Sequence, residues 1–195
     1  MGDLFGGGFS DFFDGVFGLG GQRLRRGRDL EQPIAISLAE AYRGATRTYQ
    51  RNGRRLEVEI PAGARSGTRI RLSGAGDGDP GRTGDLFLKV QVLDEPGVRR
   101  RGDNLHQEFQ VDLYTAVLGG EVELQTIQGP VLLRVPPGSQ PGQTFRLRGR
   151  GMPKLGHPTQ HGDLFAKLQV VLPAELGEDE RALFEQLAAL RKRKP

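Results

Sequence analysis

LEVEIPAGARSGTRIRLSGAGDGDPGRTGDLFLKV, residues 56–90, decides the fold because it returns as VLLRVPPGSQPGQTFRLRGRGMPKLGHPTQHGDLFAKLQV over residues 131–170. Pro61-Ala62-Gly63 reappears 75 positions later as Pro136-Pro137-Gly138. Gly67, Arg71-Leu72, Gly74 and Gly76 recur at the same distance as Gly142, Arg146-Leu147, Gly149 and Gly151. A loop then grows by three residues, so Gly84-Asp85-Leu86-Phe87 answers to Gly162-Asp163-Leu164-Phe165. Upstream, Ile36-x-Leu38 and Ala41-x-x-Gly44 match Val111-x-Leu113 and Ala116-x-x-Gly119. One domain has been duplicated, and the fold must be read as two copies.

Within the first copy, Leu30, Ile34 and Ile36 mark a strand, and Pro33 removes one ladder donor and so places it at a sheet edge. Ser37 to Tyr42 reads as a single helical turn, capped by Ser37 and stopped by Gly44. Thr46–Arg51 is β-branched and aromatic. Arg55–Ile60 alternates, with Leu56, Val58 and Ile60 inward and Glu57 and Glu59 outward. Arg69–Leu72 alternates again, and Leu86, Leu88, Val90 and Val92 share one face opposite Phe87, Lys89 and Gln91. Five short strands between Gly/Pro turns predict a small β-sandwich, and the repeat predicts two in tandem. After Pro173, Glu178–Arg193 reads as a helix opened by acids and closed by bases, with Leu183, Phe184, Leu187 and Leu190 on one stripe. The predicted organisation is 1–22 a flexible Gly/Phe-rich segment, 23–96 a first β-sandwich domain, 97–175 a second, and 176–195 a C-terminal helix. Asp94–Gly102 (DEPGVRRRG) reads as the linking stretch.

Residues 2–21 hold eight glycines and five phenylalanines, with Asp3, Asp11 and Asp14 as the only charges. A purely solvating linker would use serine instead of phenylalanine, so this segment reads as mobile and able to dock. The chain has no cysteine, which excludes disulfides and thiolate-ligated zinc and is compatible with a cytoplasmic home. No apolar run approaches the ~18 residues of a membrane span. The sequence pI is 9.7, yet the net charge is only +4. Much of the basic excess falls in Arg23, Arg25, Arg26 and Arg28, in Arg99–Arg101 and in Arg191–Lys194, which read as solvated lead-in, linker and tail.

Catalytic patterns are missing. Gly74-x-Gly76-x-Gly78 leads into a turn and lacks the helix N-terminus that a phosphate loop needs. Counted from Asp77 as a calcium loop, the twelfth position is Leu88 instead of the bidentate glutamate. His157 and His161 are four apart, but Pro158 prevents a helix between them. No catalytic residue, no metal and no cofactor is expected.

The Gly/Phe-rich lead-in, the duplicated P-x-G, G-x-x-x-R-L, G-x-G and GDLF set and the terminal helix together resemble the C-terminal, substrate-binding half of DnaJ-type co-chaperones. The defining J-domain is absent from this sequence, and the lack of cysteine matches the subclass without a zinc finger. The resemblance implies two tandem β-sandwich domains, no enzymatic activity, and a homodimer joined through Leu183, Phe184, Leu187 and Leu190. It implies binding of exposed apolar segments of unfolded polypeptides, protection from aggregation, and delivery to a DnaK-type chaperone. Carried over by position, the substrate groove would use Leu30, Ile34, Ile36, Thr48, Tyr49, Ile70 and Phe87. The second copy would offer a weaker site at Leu105, Phe109, Val111 and Leu124. Arg47, Arg51 and Arg54 would attract an acidic tail of the partner chaperone. The rival reading is a basic DNA-binding protein, since some family members bind DNA. Against it, the basic runs lie outside the repeats and no aromatic platform is interleaved with them.

Overall fold

A computed structural model describes residues 27–51, 53–78 and 83–192. The Gly/Phe-rich segment 1–22, Arg23, Arg25, Arg26, Arg193 and Lys194 lie outside the described residues. The first copy forms β1 (Leu30–Ile36), α1 (Leu38–Arg43), β2 (Ala45–Arg51), β3 (Arg54–Ile60), β4 (Arg69–Leu72) and β5 (Leu86–Val92). The second forms β6 (Val98–Arg101), β7 (Asn104–Asp112), α2 (Leu113–Leu118), β8 (Gly120–Thr126), β9 (Gly129–Val135), β10 (Thr144–Leu147), β11 (Pro153–Lys154), β12 (His157–His161) and β13 (Leu164–Val171). Helix α3 (Glu178–Lys192) follows. The architecture is mainly β, as the periodicity predicts.

The duplication is visible in strand order. One sheet runs β1-β5-β4, the other β10-β13-β7-β6, and each copy adds a hairpin, β2-β3 or β8-β9. Ser37 caps α1 through a capping box: its hydroxyl accepts from the Glu40 amide, and its own amide donates to the Glu40 carboxylate at 2.9 Å. Asp112 caps α2 in the same place.

The repeated motif residues have a shared physical reason. Asp85 accepts from the Gly74 amide at 3.0 Å and the Arg71 guanidinium at 2.9 Å. Asp163 accepts from Gly149 at 2.9 Å and Arg146 at 2.7 Å. The aspartate of each GDLF thus ties the R-L turn to the last strand. A Cβ on Gly84 would lie 2.3 Å from the Arg28 carbonyl oxygen, and one on Gly162 would lie 2.1 Å from that of Asp103. Backbone passes too close there for any side chain.

In space the chain divides into two compact units. One holds Ser66–Gln91 with the described residues up to Ile34, and the other holds Ala35–Arg65 with Val92 onward. This division departs from the repeat boundary near residue 96, and the second unit shows why. The three-residue expansion in the second copy builds the β11–β12 hairpin, which packs on the Pro61–Ala64 loop. A Cβ on Gly63 would sit 2.5 Å from the Pro153 carbonyl oxygen. Tyr42 Oη lies 3.2 Å from His161 Nε2, and Arg65 pairs with Asp103 at 2.7 Å. Burial raises the Tyr42 pKa above its ordinary value.

One expectation is corrected. Asp94–Gly102 is more than a linker, because Val98–Arg101 forms β6, antiparallel to β7, with Arg99 opposite His106 and Arg100 opposite Leu105. Half-buried Arg100 donates to the carbonyls of Ala64 (2.6 Å), Gly63 (3.0 Å) and Gly102 (2.9 Å). Desolvation lowers its pKa, the cost of holding a cation against backbone carbonyls.

Candidate polypeptide-binding surface

Alternation along β1 leaves Leu30 and Ile34 half-exposed and Ile36 fully buried. Beside them in the same sheet, Leu86, Leu88 and Val90 of β5 are buried. Ile70 of β4 pairs with Leu88, so it belongs to this inward set and is itself half-exposed. β1 lies at one edge of its sheet, as Pro33 predicts. The sheet therefore leaves Leu30 and Ile34 incompletely covered at its β1 edge and Ile70 at its opposite, β4 edge, with buried β5 between them, and burial gives Ile36 an ordinary core role.

Phe87 does not join that strip. It stands opposite Arg71, on the outer face of β5, with the Arg69 guanidinium 4.5 Å from its ring centroid. Glu31, also outward on β1, pairs with Arg69 at 3.3 Å and Lys89 at 3.9 Å. The outer face of the first sheet is thereby closed by its own charges.

On the β2–β3 hairpin, Arg47 stands opposite Val58, Tyr49 opposite Leu56, and Thr48 opposite Glu57. Arg47, Tyr49 and Arg51 share one face and Thr48 the other. Tyr49 is half-buried and Thr48 exposed. Arg47 already pairs with Glu40 at 2.6 Å. The Ser37 amide first, and Arg47 with it, hold the Glu40 carboxyl below its usual range. Arg51 Nη1 is buried without a hydrogen-bond partner among the described residues. Arg54 opens β3, and its side chain lies outside the described part.

The second-copy candidates behave differently. Leu105, Phe109, Val111 and Leu124 are all buried, with Phe109 edge-on to Phe145 at 5.8 Å. β7 has β13 along its whole length on one side and β6 on the other over Asn104–Gln107, which flanks Leu105, while Leu124 lies on the β8–β9 hairpin. These four residues are core. Exposed apolar side chains of the second copy include Val117, Leu118, Leu132 and Leu172. On α3, Leu183, Leu187 and Leu190 are exposed, while Phe184 is half-covered beside Tyr114, 6.4 Å between ring centroids. Tyr114 also donates to Glu180, which raises the Tyr114 pKa.

The outer face of the second sheet has no counterpart in the sequence reading. In cross-strand register, Arg99, His106, Phe165 and Arg146 form one row. His106 and Phe165 stack at 5.1 Å with 13° between ring planes. A groove of about 740 Å³ runs over this face. Basic residues and aromatic rings are therefore not segregated in three dimensions, although their runs are separate in sequence. Register was the missing signal, because Arg99 and Phe165 are far apart in sequence.

Among the described residues no helix is long and apolar enough to cross a membrane. The DnaJ C terminal domain family model matches residues 30–173. The chain is 40% identical over 186 residues to chaperone protein DnaJ 2 of Thermus thermophilus, covering 92% of this chain and 65% of that protein. It is also 40% identical over 186 residues to chaperone protein DnaJ of Deinococcus proteolyticus, covering 93% and 58%. A curved DNA-binding protein of Coxiella burnetii is 35% identical over 207 residues, covering 93% and 64%. The chain thus spans less than two thirds of the length of these relatives. With the duplicated GDLF lock, the paired sheets and a family match across both copies, this chain belongs to the DnaJ C-terminal domain family.

Proposed function

We propose that this chain is the polypeptide-holding part of a co-chaperone, which binds apolar segments of unfolded proteins, limits their aggregation and passes them to a DnaK-type chaperone. The observation that carries this reading is half-exposed Leu30 and Ile34 on β1, an open edge of its sheet, with half-exposed Ile70 on the far strand β4. An open edge beside apolar side chains suits an extended segment of varied sequence, because backbone groups supply affinity and shallow contacts tolerate many residues. Thr48 and Tyr49 contribute from the hairpin as a separately testable set, and Ile36 and Phe87 serve as support. Arg47, Arg51 and Arg54 attract the acidic tail of the partner, with Glu40 as an internal competitor for Arg47.

The exposed stripe Leu183, Leu187 and Leu190 pairs two copies, which gives two holding surfaces per assembly and raises avidity for long unfolded chains. Leu187→Asp is expected to give a monomer in sedimentation. A persistent dimer would place the interface elsewhere.

The deciding experiment is a backbone-amide NMR titration with an unfolded, apolar-rich polypeptide, repeated with Ile34→Asp. Shifts clustered on Leu30–Ile34, lost in the variant along with suppression of client aggregation, are expected. A client that binds Ile34→Asp and wild type equally would remove the strip from the mechanism.

A further inference from the structure

The outer faces of the two sheets are built from equivalent positions and end in opposite states. In the first, Arg69 covers the Phe87 ring, and Glu31 neutralises Arg69 and Lys89. In the second, His106 stands where Glu31 stood and Thr144 where Arg69 stood, so Phe165 has no arginine over its ring and stacks on His106 instead. Strand β6 then adds Arg99 and Arg101, both exposed and without an ion pair among the described residues. The other cations here are already matched, Arg146 by Asp163 and Lys167 by Glu108. What remains is a groove of about 740 Å³ offering stacked rings with two free guanidiniums at one side.

Its other side selects the ligand. Asp94, Glu95 and Glu108 also line the groove, so a long polyanion would meet repulsion along part of its path. A short segment carrying one aromatic side chain and one nearby carboxylate would not. In an extended peptide, residues two apart project to the same side roughly 6.6–6.8 Å apart. That is close to the step from the rings to Arg99, since directly opposed cross-strand side chains are about 5 Å apart. The amino-terminal stretch of this chain carries that spacing repeatedly: Asp3 with Phe5, Phe9 with Asp11, Asp11 with Phe13, and Phe12 with Asp14. Its three aspartates are its only charges.

We propose that this groove binds the Gly/Phe-rich segment, residues 2–21, of a second copy of the chain. A phenyl ring packs on His106 and Phe165, and an aspartate two residues away pairs with Arg99 or Arg101. The site is distinct from the Leu30–Ile34 strip, so the segment docks without competing for client there.

The test is fluorescence anisotropy of a labelled synthetic peptide of residues 2–21 titrated with the full chain. Saturable binding is expected, weakened about tenfold or more by Phe165→Ala and by Arg99→Glu/Arg101→Glu, because stacking and a charge-assisted contact are each worth about that factor. Phe87→Ala, on the closed face, should leave affinity unchanged. Replacing the peptide phenylalanines by serine, or its aspartates by asparagine, should each weaken binding comparably. Circular dichroism confirms that each variant is folded. Equal binding by wild type and both groove variants would overturn the proposal. So would a single-stranded oligonucleotide that binds with this same variant sensitivity while the peptide does not.

Discussion

The first and second copies share strand order, cap positions and the GDLF lock, yet their sheets differ at both surfaces. In the first, β1 is an edge, its inward Leu30 and Ile34 stay half-exposed, and the outer face is sealed by Glu31, Arg69 and Lys89. In the second, β7 is interior, its apolar residues are buried, and the outer face is open. A four-residue strand, β6, makes the difference. It covers the Asn104–Gln107 part of the β7 edge and brings Arg99 and Arg101 beside the aromatic pair. Duplication thus supplied two scaffolds, and one short segment between them assigned each a different exposed face.

The largest expected effect tests the burial half of this comparison. Phe109→Ala removes a ring that is 6% exposed and packed on Phe145, and should cost about 3–5 kcal/mol. Ile34→Ala, half-exposed on an edge, should cost about 1 kcal/mol. Denaturant unfolding measures both, and equal costs would mean that β1 is as enclosed as β7.

The next tests the shared lock. Gly84→Ala and Gly162→Ala each force a Cβ to within 2.3 Å or less of a backbone carbonyl, so each should destabilise by at least about 2 kcal/mol. If only one copy responds, the lock is used in that copy alone. Arg100→Ala asks whether β6 is held by its side chain. Losing donors to three carbonyls on a half-buried group should cost about 1–2 kcal/mol after solvent screening, and amide exchange of Val98–Arg101 should quicken.

The smallest effect is a pH dependence. The Gly149 amide first, and Arg146 second, hold the Asp163 carboxyl below its ordinary range. A depressed carboxylate pKa contributes stability at neutral pH that is lost as pH falls through the folded-state value. Asp163→Asn should therefore flatten the acid limb of the stability–pH curve, read by thermal unfolding at stepped pH.

Sequence alone determined much of this protein. Strand alternation in Arg55–Ile60 and Leu86–Val92, the Ser37 cap, the edge role of β1 from Pro33, and the duplication were all legible. Each rests on neighbours a few residues apart or on identity between copies. The glycine and aspartate motifs were visible as a pattern, though not as a lock. Tertiary structure decided the rest. Phe87 and Ile70 both read as apolar strand residues, and only pairing shows them on opposite faces. Leu105 looks like Leu30 until β6 pairs beside it, and Phe109 looks like Ile34 until Phe145 packs on its ring. Arg99–Arg101 reads as a solvated charge run, since nothing local predicts that it will pair with β7. An edge is a property of what fails to pair, and a face is a property of register across strands. Both are set by contacts between residues distant in sequence, where periodicity carries no information.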